Sequence, residues 1–553
     1  MLSKYTLLTF LCSITFSNTL LAQLSGGFEN NSAWYIDDDK VKLESFETAN
    51  RVRANAYLRL DYTLKNFTAG VQVESYVPKA LLNYSPNFKD AGLGNYYLNY
   101  KNDSIGVDIT VGHFYEQFGS GLVLRTWEDR QLGIANSIVG GKIKYQPTPY
   151  INVTALYGKQ RNGLAFDYTN GTIAGFNGEL LLSNLFRSKK ATYNIGGSYV
   201  NRYEKLPTNT AVNNSTYLTS IRGSYAIKGF TIDAEYAFKS ADALVEFGNI
   251  RNDLQFDGDA YLLNIGYSKK GLGINATFRR LENFGLYSQR NLQGNAFNEG
   301  FVNFTPSLTK QYDYSLTNIY VYAAQPNISF EPNRNKAGEI GGQFDIFYKF
   351  KKDSDLGGKY GTNLAINVAQ WHGLKGRYDA LNRKYKADLA GVGQKYYHEA
   401  SIEIRKQLTK NWTTVFTYLN QYYNNRYVEE TVGDVNAQTV VLDNTFKFKK
   451  GRSIRWEVQH QWANASFKNW AAMVLEYNFN SQWSIFGVDL YNYGNDDVNK
   501  QIHFYNAGVV FKKNAIRAQT SYGRQRGGLI CVGGVCRFVP ESAGLNLSIN
   551  YSF

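Results

Sequence analysis

Apolar and polar residues alternate with a period of two along most of the chain. Between positions 52 and 64 every second residue is apolar, and mostly polar residues occupy the positions between them. Since successive side chains of a β-strand point to opposite faces, this segment predicts a strand with one apolar face. The dipeptide Lys65-Asn66 then precedes a second alternating segment that begins at Phe67. Together the two segments predict an antiparallel hairpin.

The hairpin pattern recurs to the end of the chain and indicates about 24 strands, within a range of about 22 to 26. Short connections such as Lys65-Asn66 and Lys228-Gly229 alternate with long ones such as 36–50, 114–137 and 282–338. This parity is typical of a transmembrane barrel with short periplasmic turns and long extracellular loops, whereas a soluble sandwich gives no reason for it. The sequence therefore predicts an all-β fold, a single large transmembrane antiparallel β-barrel.

The chain ends in an alternating strand with a terminal phenylalanine. This ending resembles the C-terminal strand of bacterial outer-membrane proteins. The resemblance implies that the barrel-assembly machinery reads the terminal aromatic residue during biogenesis, and that the protein lies in the cell outer membrane with a periplasmic C-terminus. The apolar positions of this predicted assembly signal are Leu545, Leu547, Ile549, Tyr551 and Phe553.

Residues 1–22 predict a secretory signal peptide. Lys4 supplies a positive charge, residues 7–16 are largely apolar, and Ala22 is small enough to precede a cleavage site. The barrel then spans residues 23–553, with both termini in the periplasm. We expect no separate plug domain before the first strand.

The composition favours a membrane barrel. The sequence lacks the run of about 18 apolar residues that a transmembrane helix needs. Yet 43% of its residues are hydrophobic and 43 are tyrosines, which suit a membrane–water interface. Much of the net charge of +14 lies in the short connections, so we interpret it as solvated turns. We expect outer-membrane lipid as a partner, and no nucleic acid.

A barrel of this size is too wide for its wall side chains to fill the lumen. The lumen therefore either conducts or is occluded. Charges of both signs occupy the predicted inward positions, where they hold neighbouring strands in register or select a solute. The mixed signs favour the first interpretation, because they do not specify one ion. The predicted lumen-facing charges are Arg53, Arg59, Asp61, Glu74, Arg279, Glu403, Arg405, Arg455, Glu457 and Arg517.

The segment 282–338 is unusually long for a hairpin loop and is rich in aromatic residues. Folded inward, it is a plug that constricts the pore. Folded outward, it presents a surface to extracellular protein partners. We favour inward folding, because an open pore of this width would compromise the membrane. The segment 114–130 is the second candidate occluder.

Candidate sites for chemistry are few. Cys531 and Cys536 flank two glycines that permit a tight reversal, so a structural disulfide is expected in an oxidising compartment. The acidic runs 37–39 and 495–497 are candidates for loop calcium, but solvated acids explain them better. We find no nucleophile, phosphate-binding or acid–base motif. We therefore expect no enzyme, no catalytic residue and no other cofactor.

Two motifs carry a resemblance to a known group of proteins. The sequence FYEQFGSG at 114–121 is followed by Glu128 and Arg130, and Gly523-Arg524-Gln525 precedes the two cysteines. With these features the chain resembles an uncharacterised outer-membrane barrel family of the Bacteroidota. More loosely, it resembles porin and polysaccharide-export barrels. The resemblance implies location and fold only.

We therefore expect a channel or transport protein that passes a polar solute or polymer through a loop-gated lumen. The alternative is a sealed structural or scaffold subunit of a larger outer-membrane assembly or secretion machine. A wide, charge-lined lumen favours the channel. A lumen fully packed by 282–338, with an exposed apolar loop patch, favours the scaffold.

Overall fold

The computed structural model of the protein describes residues 22–41, 50–207, 211–246, 249–291, 300–331, 334–431 and 433–553. The predicted signal peptide lies outside these residues, apart from Ala22, where the first strand begins. Within the described ranges, no helix has both the length and the apolar character needed to cross a membrane.

Twenty-four antiparallel strands form one closed sheet. Each strand pairs with its neighbours in sequence, and the last strand pairs with the first from Ser552 opposite Gly27 to Gly544 opposite Tyr35. The predicted antiparallel barrel of about 24 strands is therefore confirmed. The strands are β1 (Ala22–Tyr35), β2 (Val52–Leu64), β3 (Phe67–Tyr76), β4 (Asp90–Asn102), β5 (Val107–Phe114), β6 (Ile138–Thr148), β7 (Ile151–Arg161), β8 (Tyr168–Leu180), β9 (Ala191–Tyr203), β10 (Ser215–Ile227), β11 (Phe230–Glu246), β12 (Asn249–Lys269), β13 (Leu272–Glu282), β14 (Gly338–Phe350), β15 (Thr362–Asp379), β16 (Lys384–Gln407), β17 (Trp412–Asn424), β18 (Asp434–Lys447), β19 (Ser453–Ala463), β20 (Trp470–Asn478), β21 (Trp483–Tyr491), β22 (His503–Lys513), β23 (Ile516–Gln525) and β24 (Ser542–Ser552).

Short connections collect at one end of the barrel, which we call the short-turn end. Lys228-Gly229 joins β10 to β11 with positive φ at both residues, 48° and 83°. These angles are typical of a type I′ turn, which follows the twist of the flanking strands. Two connections at this end were not identified from the sequence, namely 181–190, which contains the helix Leu182–Leu185, and 351–361. Both are longer than the turns that were identified from the sequence.

The outer face of the wall is apolar and exposed. Side chains such as Leu98, Val111, Ile221 and Phe278 point away from the lumen and are at least two-fifths exposed. Such a band suits contact with lipid tails. Aromatic pairs lie on this face toward both ends of the barrel, where rings are suited to the membrane–water interface. Tyr491–His503 and Tyr505–Tyr522 lie toward the long-loop end. The pairs at the short-turn end are Phe67–Tyr100, Tyr348–Phe350, Phe446–Phe448, Tyr477–Phe479, Trp483–Phe511 and Tyr551–Phe553.

The opposite end, which we call the long-loop end, is irregular. The hairpin of β15 and β16 extends well past its neighbours, and β16 is 24 residues long. The register of this pair shifts near Trp371, His372 and Leu374, which marks β-bulges. Bulges bend a strand and increase its twist, so the outer part of this hairpin runs in a different direction from the strands of the wall.

Candidate functional site in the barrel lumen

Exposure of the inward-facing side chains changes along the barrel axis. On β2, Arg53 is 4% exposed, whereas the side chain of Arg59, nearer the short-turn end, is 57% exposed. On β16, Glu399 is 1% exposed and the side chain of Arg405 is 57% exposed. The lumen is therefore filled at the long-loop end and open at the short-turn end.

The longest connection runs between β13 and β14. It comprises residues 283–337, which we call the long loop, and its flanking residues Glu282 and Gly338 belong to the strands. Its regular structure is confined to a 3₁₀ turn at Ser315–Asn318 and isolated bridges, in the part that is described. Because a loop of this kind has few internal hydrogen bonds, its backbone polar groups need partners from elsewhere.

Inward-facing amides of the wall supply several of these partners. On β19, Gln459 Oε1 accepts from the N–H of Leu316 at 2.9 Å, and Gln461 Nε2 donates to the carbonyl of Leu316 at 2.8 Å. On β17, Gln421 Nε2 donates to the carbonyl of Tyr320 at 3.1 Å. Since these glutamines lie on the inner face of their strands, the contacted part of the long loop lies within the lumen.

A buried ionic cluster holds the loop on another part of the wall. Arg290 of the loop pairs with Asp242 of β11 at 2.7 Å and with Glu204 at 3.2 Å. Arg202 of β9 pairs with the same Asp242 at 2.6 Å and donates to the carbonyl of Tyr287 at 3.0 Å. Both arginine side chains are 1% exposed. Buried charges of this kind are tolerated only when they are paired, so the cluster depends on the loop being docked.

The C-terminal part of the long loop is held by Glu339 at the start of β14. Its carboxylate accepts from Arg279 Nη2 at 2.6 Å, from the hydroxyl of Tyr322 at 2.5 Å and from the N–H of Gln325 at 2.7 Å. Burial, together with the charge of Glu339, raises the pKa of Tyr322 well above its usual value. The phenol therefore stays protonated and donates to the carboxylate.

The segment between β5 and β6 also packs into the lumen. Its short strands Gln117–Phe118 and Leu124–Arg125 pair with each other, and the N–H of Arg125 donates to the carbonyl of Val302 in the long loop at 2.9 Å. Phe118 and residues 122–124 are buried in a cluster with Phe284, Leu286 and Val302 of the long loop. Neighbouring strands from β5 to β13 each add one inward apolar side chain to this cluster. These wall residues are Phe114, Ile138, Leu156, Ile173, Val200, Leu218, Ala237, Ala260 and Leu281.

A disulfide joins Cys531 and Cys536 across a small hairpin between β23 and β24. The hairpin tip lies on the long loop, where the N–H of Ser307 donates to the carbonyl of Gly534 at 2.8 Å. Gly534 has φ +81°, and a Cβ there would lie 2.3 Å from the Ser307 carbonyl oxygen. Glycine is therefore required at this close approach.

Two of the predicted lumen charges are buried at the long-loop end beside β2 and β3. Glu74 forms a bidentate pair with Arg161, at 2.7 and 2.9 Å, with both side chains at most 1% exposed. Arg53 donates to the carbonyl of Ala80, in the connection between β3 and β4, at 3.3 Å. These charges therefore bind wall strands and loops together.

Most of the remaining predicted charges lie nearer the short-turn end and pair with neighbours. The two pairs of Arg455 with Asp443 and Glu476 join neighbouring strands and stabilise the sheet, whereas most of the others join residues two apart on one strand. The pairs are Arg59–Asp61 at 2.7 Å, Arg455–Asp443 at 3.1 Å, Arg455–Glu476 at 3.0 Å, Arg455–Glu457, and Glu403 with Arg405 at 3.7 Å and Lys310 at 3.8 Å.

A polar cavity of 470 Å³ lies between the loops and the inner faces of β1, β23 and β24. Arg517, the last of the predicted charges, lines it together with Gln519 and Asn550. Glu29 and Arg130 also line it and form an ion pair at 2.5 Å. The loops therefore leave a polar space along this part of the wall.

The acidic runs considered for calcium pair with basic side chains. Asp38 accepts from Arg524 at 2.8 Å, and Asp496 pairs with Lys468 at 2.5 Å. Partial burial raises the pKa of Asp38, but the hydrogen bonds from Arg524 and two backbone N–H groups outweigh it and lower the pKa overall. Among the described residues, no group of three His, Cys, Asp or Glu side chains is arranged to hold a metal ion.

Sequence reasoning missed several charges of the filled lumen. Arg161, Arg202 and Lys239 occupy inward positions of alternating strands, so the period-two pattern would have identified them. Arg290 lies in the long loop, where no periodicity exists to mark it. Lys239 is 3% exposed and donates to the carbonyl of Gly285 at 3.1 Å.

A closed wall with an apolar outer band and a polar, partly filled lumen defines an outer-membrane β-barrel protein. The chain belongs to a family of unknown function (DUF6029), whose model matches residues 1–553. No curated protein matches the sequence.

Several solved outer-membrane barrels are similar to the chain in fold. The siderophore receptor PirA from Pseudomonas aeruginosa is 9% identical, with 97% of this chain and 81% of that chain covered and a TM-score of 0.41. A BenF-like porin from Pseudomonas fluorescens Pf-5 is 9% identical, with 96% and 98% covered and a TM-score of 0.37. OccK11 (OpdR) from Pseudomonas aeruginosa is 11% identical, with 80% and 96% covered and a TM-score of 0.35.

Proposed function

We propose that this protein is an outer-membrane transport channel in which the loops that fill the lumen leave a polar route along β1, β23 and β24. The observation that carries the proposal is the 470 Å³ cavity beside these strands. Its lining is mainly polar, and its exposed wall residues include Arg517 and Asn550. A space lined in this way favours water and polar solutes over apolar ones.

The charges along this route favour a neutral or zwitterionic polar solute. Glu29 and Arg130 neutralise each other, and Arg517 stands among amide and hydroxyl side chains. Two arginines and one glutamate line the cavity, so the lining keeps one positive charge, on Arg517, and favours anions over cations only weakly. Amides and hydroxyls both donate and accept hydrogen bonds, so they suit solutes that are rich in the same groups.

In the proposed orientation the long-loop end faces the outside of the cell and both termini face the periplasm. The short turns collected at one end support this orientation, because periplasmic turns of outer-membrane barrels are short. The backbone of Phe553 pairs with Gly26 through two hydrogen bonds of 2.9 and 3.0 Å. We propose that the alternating residues 545–553 are the signal for the barrel-assembly machinery.

A sealed scaffold is the second candidate. It is favoured by the dense packing at the long-loop end, where two loops and an arc of wall side chains bury one apolar cluster. If the polar cavity has no outlet through this packing, the lumen is closed. Extracellular partners would then dock on the loops.

Single-channel conductance in a planar bilayer separates the two candidates. We expect small, steady conductance from the intact protein and a large increase when residues 283–337 are replaced by a short glycine–serine linker. Ser548→Trp, in the polar cavity, should reduce the conductance of the intact protein. Thr277→Trp, on the inner face of β13 and away from the cavity, is the matched control. Silence of the intact and the loop-deleted protein would reject the channel and favour the scaffold.

A further inference from the structure

The outer wall of the barrel carries a groove at the long-loop end. Its volume is 580 Å³, and one side is formed by outward residues of β12, β13 and β14, namely Tyr261, Phe278 and Ile340. The other side is formed by Leu389, Ala390 and Val392 of β16. Since these wall residues lie on the lipid-facing surface, the groove is continuous with the membrane and not with the lumen.

A bulge in β16 builds the overhanging side of the groove. Leu374 pairs with Val392 and Gly376 pairs with Ala387, so the single residue Lys375 lies opposite the four residues 388–391. The extra residues curve out of the strand and place Leu389 beside the outer face of the wall.

Arg280 ties this bulge to the wall. Its guanidinium contacts the carbonyl of Asp388 at 3.5 Å and forms ion pairs with Asp259 and Glu282. Arg280 is 2% exposed although its position faces outward. The bulge therefore covers a buried ionic cluster of one arginine and two carboxylates, and the groove below it is a formed feature of the surface.

The apolar side chains of the groove remain uncovered. Leu389 is 64% exposed, Val392 is 56% exposed and Phe278 is 43% exposed. At the level of the membrane such side chains gain free energy when acyl chains cover them. The groove lining is predominantly apolar, so an acyl chain suits it better than a polar ligand does.

A basic strip adjoins the groove on the same hairpin. Lys375, Arg377, Lys384 and Lys386 are all exposed. Arg377 lies directly opposite Lys386 in the strand pairing. Among the described residues none of these four cations forms an ion pair within 4 Å. Like charges placed directly opposite each other destabilise a sheet, and an anion between them relieves the repulsion.

Two carboxylates lie near the strip. Asp379 is opposite Lys384, but its oxygens accept from Leu381, Asn382 and the Asn382 amide within the turn. Asp388 is exposed in the bulge. With the cluster of Arg280, Asp259 and Glu282 included, five cations stand against four carboxylates, which leaves a positive balance of one charge beside an apolar groove.

We infer that this hairpin binds a membrane lipid with a phosphorylated headgroup, whose acyl chain occupies the groove and whose phosphate contacts Arg377 and Lys386. The inference rests on the orientation in the proposed function, which directs this end to the outer leaflet. The combination of an apolar groove and adjacent cations fits both parts of such a lipid. Lysine and arginine side chains at a membrane surface attract anionic headgroups.

Lipid binding to the purified full-length barrel can be measured by native mass spectrometry, with diphosphoryl lipid A as the probe. A lipid A from which both phosphates have been removed reports the headgroup contribution. We expect Arg377→Ala with Lys386→Ala to weaken binding of the phosphorylated probe roughly 30-fold, from about 1 kcal/mol for each cation. Binding of the dephosphorylated probe should not change.

Two further variants keep the inference testable. Ala390→Trp should weaken binding of both probes, because the indole ring fills the groove that the acyl chain would occupy. Ala390 is exposed, so its replacement leaves the wall intact. Lys269→Ala with Lys270→Ala removes two exposed cations at the short-turn end and should change nothing. Equal binding by all variants would overturn the inference. Full binding by Ala390→Trp would also overturn it, because the strip would then bind anions without an acyl chain. Loss of binding only in the Lys269 and Lys270 variant would contradict the orientation itself.

Discussion

Replacing Glu339 with alanine is expected to release the long loop from the barrel wall. The carboxylate is fully buried and accepts from Arg279 on the wall and from Tyr322 and Gln325 in the loop, at 2.5 to 2.7 Å. In Glu339→Ala the guanidinium of Arg279 stays buried without its partner. Two donors of the loop lose their acceptor at the same time.

The expected effect follows from the cost of stranding a buried charge. Removing one partner of a buried ion pair costs about 3 to 5 kcal/mol, and about 1.4 kcal/mol changes an equilibrium tenfold. The fraction of molecules with an undocked loop should therefore rise at least about a hundredfold. The double variant Arg279→Met with Glu339→Leu removes both charges, so its effect should be well below that of Glu339→Ala.

Protease cleavage within residues 283–337, measured alongside channel conductance, reports the undocked loop. Heat-modifiable migration in gels checks that the barrel itself is intact. Arg405→Ala is the matched control, because the side chain of Arg405 is 57% exposed and its ion pair is worth about 1 kcal/mol or less. Wild-type protection of the loop in Glu339→Ala, in an intact barrel, would refute the role assigned to this carboxylate.

Three other outcomes are expected. Cys531→Ser with Cys536→Ser should lower the stability of the hairpin that contacts the long loop by about 2 kcal/mol and speed proteolysis of the loop without loss of the barrel. Unchanged proteolysis would show that the disulfide does not hold the loop in place. Phe553→Ser should lower the yield of heat-modifiable barrel. Phe446→Ser, which replaces an outward aromatic residue at the short-turn end of β18, is the control and should not lower the yield. Equal yields of the two variants would show that the terminal residue is not part of the assembly signal. Burial lowers the pKa of Lys336 in the long loop to about 8, from 10.5. Between those pH values the undocked lysine binds more protons than the docked one, so loop docking should strengthen as pH rises from about 8 to 10. Protection of the loop from protease should therefore increase over this range, and the increase should be smaller in Lys336→Met.

The alternation of residues was sufficient to predict the barrel because the direction of a strand side chain is set locally. Arg53 and Arg59 have the same parity on β2, and the pattern assigned both to the inner face. The pattern did not predict which residues surround these two side chains. Arg53 is buried against a loop and Arg59 is exposed near the short-turn end, since the loops fill only one part of the lumen.

The sequence by itself determined most of the strands, their two faces, their approximate number and most of the short connections. Those properties depend on the period-two pleat and on turn residues, which are local. Only the tertiary structure decided which charges meet and where the long loop lies. Glu74 and Arg161 are separated by 87 positions, and the loop contacts β9, β11, β17 and β19. Such contacts depend on closure of the sheet, because closure brings the inner faces of distant strands around one space.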